Sequence, residues 1–174
     1  KQPGLKITIV ERGVIPIGAS TRNAGFACFG SVTELMKDVS AMGEDKMLNI
    51  VEMRYRGLSK IRKVFKKRQI DYVDCGGYEL ISSVNDERYK ELGHQVKWLN
   101  SVLSGLLKTK KIFRFSDEKI SSFGFAGISH MISNRQEGCL HPGKLSQSLY
   151  QKLQGMGVNI LTGTDIINFD ESGD

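Results

Sequence analysis

The chain has 174 residues, long enough for one domain with a real core, and its 40% apolar and 25% charged residues are ordinary for a globular protein. Its 25 Lys and Arg against 19 Asp and Glu give a net charge of +6, concentrated at 60–68 and 108–111. Ile61, Val64 and Phe65 recur at helical spacing within the first stretch, so its cations read as the solvated side of a helix and nucleic-acid binding is disfavoured.

In chain order, a turn at Pro3-Gly4 leads to a strand at 6–10. This β-branched apolar run is typical of a buried parallel strand, and it ends in Glu11-Arg12-Gly13. An acid at such a tip is placed to accept hydrogen bonds from ribose hydroxyls; an ordinary strand-end surface acid is the equal reading from local sequence. Residues 13–31 form a long loop, too apolar at Phe26, Ala27 and Phe29 for a free linker. Its small residues, Gly18-Ala19-Ser20-Thr21-Arg22-Asn23-Ala24-Gly25, let backbone N–H groups approach an anion or a flat ring closely.

Thr33 is expected to cap a short helix to Val39, with Gly43 interrupting it. Residues 44–67 read as one long amphipathic helix, with Met47, Ile50, Val51, Tyr55, Leu58, Ile61 and Phe65 inward. At 71–84 the pattern predicts a β-hairpin turning at Gly76-Gly77. Asn85 or Asp86 caps the next helix, to about Leu107, with Trp98 and Leu99 on its buried side. A short strand at 111–115 and a short helix from Ser116 follow. Residues 127–133 read as a strand leading to Gly138; Pro142 starts a helix to about Gln154, ended by Gly155 and Gly157. Two more strands are expected at 158–161 and 165–169. Cys28, Cys75 and Cys139 are odd in number and contain no CxxC pair, which argues against a disulfide scaffold or a zinc site and fits a reducing cytoplasm. No transmembrane run or signal peptide is visible.

The Gly18 to Gly25 loop behind a strand-end acid resembles the D-amino-acid oxidase and glycine oxidase superfamily of FAD-dependent oxidoreductases. Gly138-Cys139-Leu140-His141-Pro142-Gly143-Lys144-Leu145, a helix, and then Gly157-Val158-Asn159-Ile160 are similar to the succession by which that family's chain returns to its cofactor domain. The resemblance implies an α/β fold: part of a Rossmann-like FAD-binding domain (1–70 and 141–174) with part of a substrate-domain sheet and helices (71–140). It implies cofactor contacts from Glu11, Arg12, Ser20, Thr21, Arg22, Asn23, Ala24 and Gly25, and from the backbone of Ile166 at the adenine edge. Ser20 and Thr21 would donate to phosphate oxygens; Ala24 and Gly25 would admit the isoalloxazine. A carboxylate at Glu11 would repel a 2′-phosphate, which disfavours NADP.

The departure from the family lies at the start. Only ten residues precede Glu11 and no GxGxxG occurs among them, whereas the fingerprint stands about 20 residues before the ribose acid. The chain is therefore expected to be a fragment that lacks the family's first strand and its C-terminal half. It is expected to bind FAD weakly or not at all, and to expose apolar surface through which it self-associates.

The activity implied is oxidation of an amine or amino acid, with hydride passing from the carbon beside nitrogen to the flavin and hydrolysis of the imine. Catalytic residues are not evident from the sequence. His94, His130 and His141 read as structural or surface residues, with His141 the best placed of the three. Two other readings compete: a small basic α/β domain that binds a partner or an anion without redox chemistry, and a flavoprotein that modifies nucleic acid. Flavin absorbance separates the first from an oxidase, and tight tRNA binding would mark the second.

Overall fold

The computed structural model describes residues 4–82 and 85–171. Its elements in chain order are β1 (Thr8–Val10), β2 (Phe26–Ala27), α1 (Val32–Met42), α2 (Glu44–Val64), α3 (Lys67–Ile70), β3 (Gly77–Ser82), α4 (Asp86–Leu107), β4 (Phe113–Phe115), β5 (Ile128–Asn134), β6 (Gly138–Cys139), α5 (Pro142–Gly155) and β7 (Asn159–Leu161). The fold is α/β, with the strands in three small sheets. β1 and β7 pair in parallel, with Ile9 opposite Ile160. β2 and β6 pair antiparallel, with Phe26 opposite Cys139. β3, β5 and β4 form an antiparallel sheet with β5 central.

The parallel pair joins the two ends of the described chain, as a crossover fold requires. β1 ends where Glu11 N–H donates to Leu161 O at 2.8 Å, and Thr164 N–H returns to Glu11 O at 3.1 Å. The core lies between the helices and the inner face of the antiparallel sheet. Phe29, Val32, Leu35, Met47, Val51, Leu99 and Leu103 are fully buried there. Phe29 meets Tyr55 and Phe113 edge-on, at centroid distances of 6.1 and 6.3 Å. Each such side chain contributes about 1.5–3 kcal/mol of transfer free energy.

Asn100 fastens α4 to β4. Its Oδ1 accepts from Ile112 and Phe113 N–H and its Nδ2 donates to Phe113 O, each at 2.9 Å. Asn85 caps α4 as expected, its Oδ1 accepting from Arg88 N–H at 2.9 Å. His141 caps α5, with Pro142 in its first turn.

The structure corrects several expectations. The hairpin at 71–84 does not form: β3 pairs with β5, Tyr78 facing Ser133, and the segment before it turns away so that Val73 bridges Cys139. Gly76-Gly77 is not a hairpin turn. Gly76, at φ +75°, donates its N–H to Glu137 O at 3.2 Å, and a side chain at Gly77 would collide with Glu137 Oε2. Pro3 and residues 83–84 lie outside the described residues. Ser31 caps α1, in place of Thr33, whose hydroxyl donates to Glu79.

The long helix stops at Val64, because Phe65 turns extended (φ −118°, ψ 141°) to bury its ring. Val64 itself is exposed, so only Ile61 and Phe65 face inward in the basic stretch. The helix expected from Ser116 is one 3₁₀ turn, Asp117–Lys119. The strand expected at 165–169 is absent; that segment has no strand partner among the described residues, and Ile166, Ile167 and Phe169 are exposed. Val14, Ile15, Ile17 and Phe26 are exposed as well. No helix among the described residues is long and apolar enough to cross a membrane.

Candidate cofactor and substrate site

In parallel α/β sheets, ligands collect at the carboxyl ends of the strands, and Glu11 stands at that end of β1. Its carboxylate is tied at one oxygen: Oε1 accepts from Gly13 N–H at 2.7 Å. Oε2 makes no hydrogen bond among the described residues, which leaves an acceptor of the type a ribose diol needs. Arg12 beside it is exposed and makes no ion pair among the described residues.

The small-residue loop is shaped by its own polar groups. Asn23 Nδ2 donates to Ala19 O (2.9 Å) and Ser20 O (3.2 Å), and its Oδ1 accepts from Gly25 N–H (2.9 Å). Thr21 donates its hydroxyl to Pro16 O at 2.8 Å. Both side chains therefore build the loop, and the Thr21 hydrogen assigned to a phosphate is already in use. Ser20, Arg22 and Ala24 are exposed on the loop surface. Gly25 is buried at φ +73°, and a Cβ there would overlap the Leu140 carbonyl oxygen. Its small size serves this backbone crossing, where Leu140 N–H also donates to Gly25 O at 2.9 Å. Glu11 and the loop are two separate features, and Ile166 lies beyond β7, with its side chain exposed.

The loop runs directly into β2 and so into the wall of a cavity of about 530 Å³. Phe26, Tyr78, Phe113 and Ile132 give this cavity apolar walls. Glu137, 7% exposed, reaches into it from the turn before β6. Glu137 Oε1 accepts from the N–H groups of Phe29 (2.8 Å) and Gly30 (3.3 Å), which fixes the segment between β2 and α1. Burial pushes the Glu137 carboxyl above the ordinary glutamate range; the two N–H groups oppose this, and Glu34 and Glu79 add to it.

Glu79 accepts from Val32 N–H (3.0 Å) and Thr33 N–H (3.2 Å) at the start of α1. Glu34 pairs with Arg54 at 3.0 Å. Asn134 is 4% exposed; its Oδ1 accepts from Gln136 N–H at 2.9 Å, and its Nδ2 is buried without a partner. All three cysteines line the cavity. Burial, then Glu137 and Glu34, raise the Cys28 thiol, which leaves it a weak nucleophile.

This arrangement, a parallel strand pair with an acid at its tip and a glycine loop feeding an apolar cavity, agrees with comparison to known proteins. The sequence matches the FAD dependent oxidoreductase family across residues 1–174. The chain belongs to that family.

Among solved structures, glycine oxidase from Geobacillus kaustophilus is similar, at TM-score 0.66 and 14% identity over 97% of this chain and 43% of that one. L-amino acid deaminase from Proteus myxofaciens, in complex with anthranilate, gives 0.65 and 14% over 98% and 35%. Glycine oxidase from Bacillus cereus gives 0.59 and 16% over 97% and 44%. The TM-scores show a shared fold and, at these identities, the fold alone; the chain spans less than half of each of those proteins. No curated protein matches the sequence.

FAD, the cofactor named by the family, fits the residues in part. Glu11 offers the ribose acceptor and the cavity an apolar enclosure, while the chain holds no GxGxxG turn for a pyrophosphate. Sequence reasoning missed Glu137, Glu79 and Asn134. Glu79 carried one signal: it is a lone acid on the same strand face as Gly77 and Ile81, the half-buried face.

His130 Nδ1 pairs with Asp117 at 2.7 Å and its ring stacks on Tyr89. His94 is exposed and His141 is occupied by its cap, so none of the three histidines lines the cavity.

Proposed function

We propose that the parent of this chain is an FAD-dependent oxidoreductase acting on an amine or amino acid, with this chain supplying the ribose end of the cofactor site and one wall of the substrate cavity. The observation that carries the reading is the parallel β1–β7 pair with Glu11 at its carboxyl end, in a chain whose small-residue loop leads through β2 into the cavity. FAD, when bound, supplies the two-electron acceptor for the hydride that leaves the carbon beside the substrate nitrogen.

Within that scheme Glu11 holds the ribose, with Arg12, Ser20, Thr21, Arg22, Asn23, Ala24, Gly25 and the Ile166 backbone as further cofactor contacts. Residues 1–70 and 141–174 belong to the cofactor domain and 71–140 mainly to the substrate domain, a division supported by the pairing of β1 with β7. Asn23 acts by holding the loop in shape. Glu137 holds the cavity wall by anchoring the Phe29 and Gly30 N–H groups, and the buried Phe113 gives that wall an apolar surface. The likeness to glycine oxidases and an L-amino acid deaminase supports amino acids or their derivatives as the substrate class.

The test is anaerobic reduction of the parent's flavin by a panel of amines and amino acids. Bleaching by members of that panel, and not by alcohols or thiols, is expected. A flavin that stays oxidised under every amine overturns the reading.

A further inference from the structure

Two polar groups in the cavity have no partner of their own. Asn134 projects from the same face of β5 as Ile132, and both line the cavity; its Nδ2 is buried and has no acceptor among the described residues. Three residues on, Glu137 spends Oε1 on the Phe29 and Gly30 N–H groups, and its Oε2 makes no hydrogen bond among the described residues. A buried donor without an acceptor costs about 1–3 kcal/mol, so a ligand that supplies the acceptor gains by satisfying it. The cavity thus offers one unmatched donor and one unmatched acceptor.

The charges say which ligand matches them. Glu34, Glu79 and Glu137 all line the cavity, and among the described residues of this chain no Lys, Arg or His does. Arg54 is turned to Glu34 and to Phe29 O (3.1 Å). A carboxylate entering here meets three acids and no cation. An ammonium meets the Glu137 Oε2 acceptor and walls that include Phe26, Tyr78 and Phe113; a carboxylate oxygen and aromatic rings both attract cations.

We propose that the cavity binds a primary amine whose neighbouring oxygen is a neutral carbonyl, an amino-acid amide in place of a free amino acid, with the nitrogen on Glu137 Oε2 and the carbonyl oxygen on Asn134 Nδ2. The meaning of this subsite as a substrate site rests on the amine-oxidation reading; its ligand preference does not.

The test is calorimetric titration of the 174-residue chain with three probes sharing one apolar body: phenylalaninamide, phenethylamine and phenylalanine. The expected order of affinity is phenylalaninamide, then phenethylamine, then phenylalanine, with at least about tenfold between the first and the last, the scale of one charge-assisted hydrogen bond. Glu137→Gln keeps an acceptor for the Phe29 and Gly30 N–H groups and is expected to fold, as circular dichroism would verify. It should lower the affinity of both amines about tenfold and lower that of phenylalanine less, because its carboxylate is relieved of one repelling charge, so the gap between amide and acid narrows.

Phenylalanine binding as tightly as its amide, a folded Glu137→Gln that binds like wild type, or a folded wild type that binds no probe would each overturn the proposal. FAD is titrated into the same samples and into the parent. Amide binding by the chain together with a parent that ignores FAD would remove the flavin reading and leave the subsite standing.

Discussion

Replacing Glu137 by Leu removes the acceptor of two buried N–H groups while roughly conserving volume. The Phe29 and Gly30 N–H groups, bonded at 2.8 and 3.3 Å, then have no partner. At about 1–3 kcal/mol for each orphaned group, less the relief of no longer burying a carboxyl, the expected loss is about 2–4 kcal/mol. For a chain of this size that is a fall in Tm of roughly 4–16 °C.

Glu137→Gln keeps the acceptor and isolates the charge. The folded-state pKa of Glu137 is raised, chiefly by burial. Its stabilising contribution is therefore fully present below the unfolded value, about 4.3, and is lost as pH rises through the folded value. Urea denaturation at a series of pH values should show Glu137→Gln gaining on wild type as pH rises through that window, and Glu137→Leu below both at every pH. A Leu variant within about 0.5 kcal/mol of wild type, the usual surface-mutation range, would refute the anchoring argument.

Other substitutions test other joints. Gly25→Ala forces a side chain into φ +73° against the Leu140 carbonyl and should cost at least about 2 kcal/mol in denaturant melts. Asn100→Leu strands the Ile112 and Phe113 N–H groups and Phe113 O, and should cost about 3 kcal/mol or more by the same assay. Asn23→Ala releases the 19–25 loop with little change in global stability, and should speed amide hydrogen exchange at Gly25. Cys28 should react with a thiol reagent more slowly at neutral pH than an unperturbed cysteine, because burial and the two acids keep it protonated.

Local chemistry made much of the fold legible. The Asn85 cap and the Pro142 start are settled by residues within a few positions and stand where expected, while the first strand forms at Thr8–Val10, shorter than the 6–10 run and only partly buried, with Ile7 exposed. The errors came where a distant partner decided the outcome. Gly76-Gly77 has the composition of a hairpin turn, yet β3 pairs with β5 and Gly76 bonds Glu137, so a strand some 50 residues on overrode the local signal. Thr33 lost the cap to Ser31 because Glu79 arrives from β3 to take its hydroxyl.

The site was legible in the same measure. Glu11 and the 18–25 loop stand out as candidates because one strand tip and one small-residue run mark them in the sequence. Glu137 and Asn134 do not: one follows a turn and the other ends β5, ordinary polar positions until the packing of β2 and β3 buries them. The structural tasks of Gly25 and Thr21, a close crossing of Leu140 and a hydrogen bond to Pro16, are not evident from the motif because those partners lie outside it.

The most direct test of the account is the visible spectrum of the purified parent, with and without Glu11→Ala and Arg22→Ala. The account predicts flavin absorbance in wild type that weakens or disappears in both variants while the far-ultraviolet circular dichroism is kept. A well-folded, colourless parent that takes up no added FAD would contradict it.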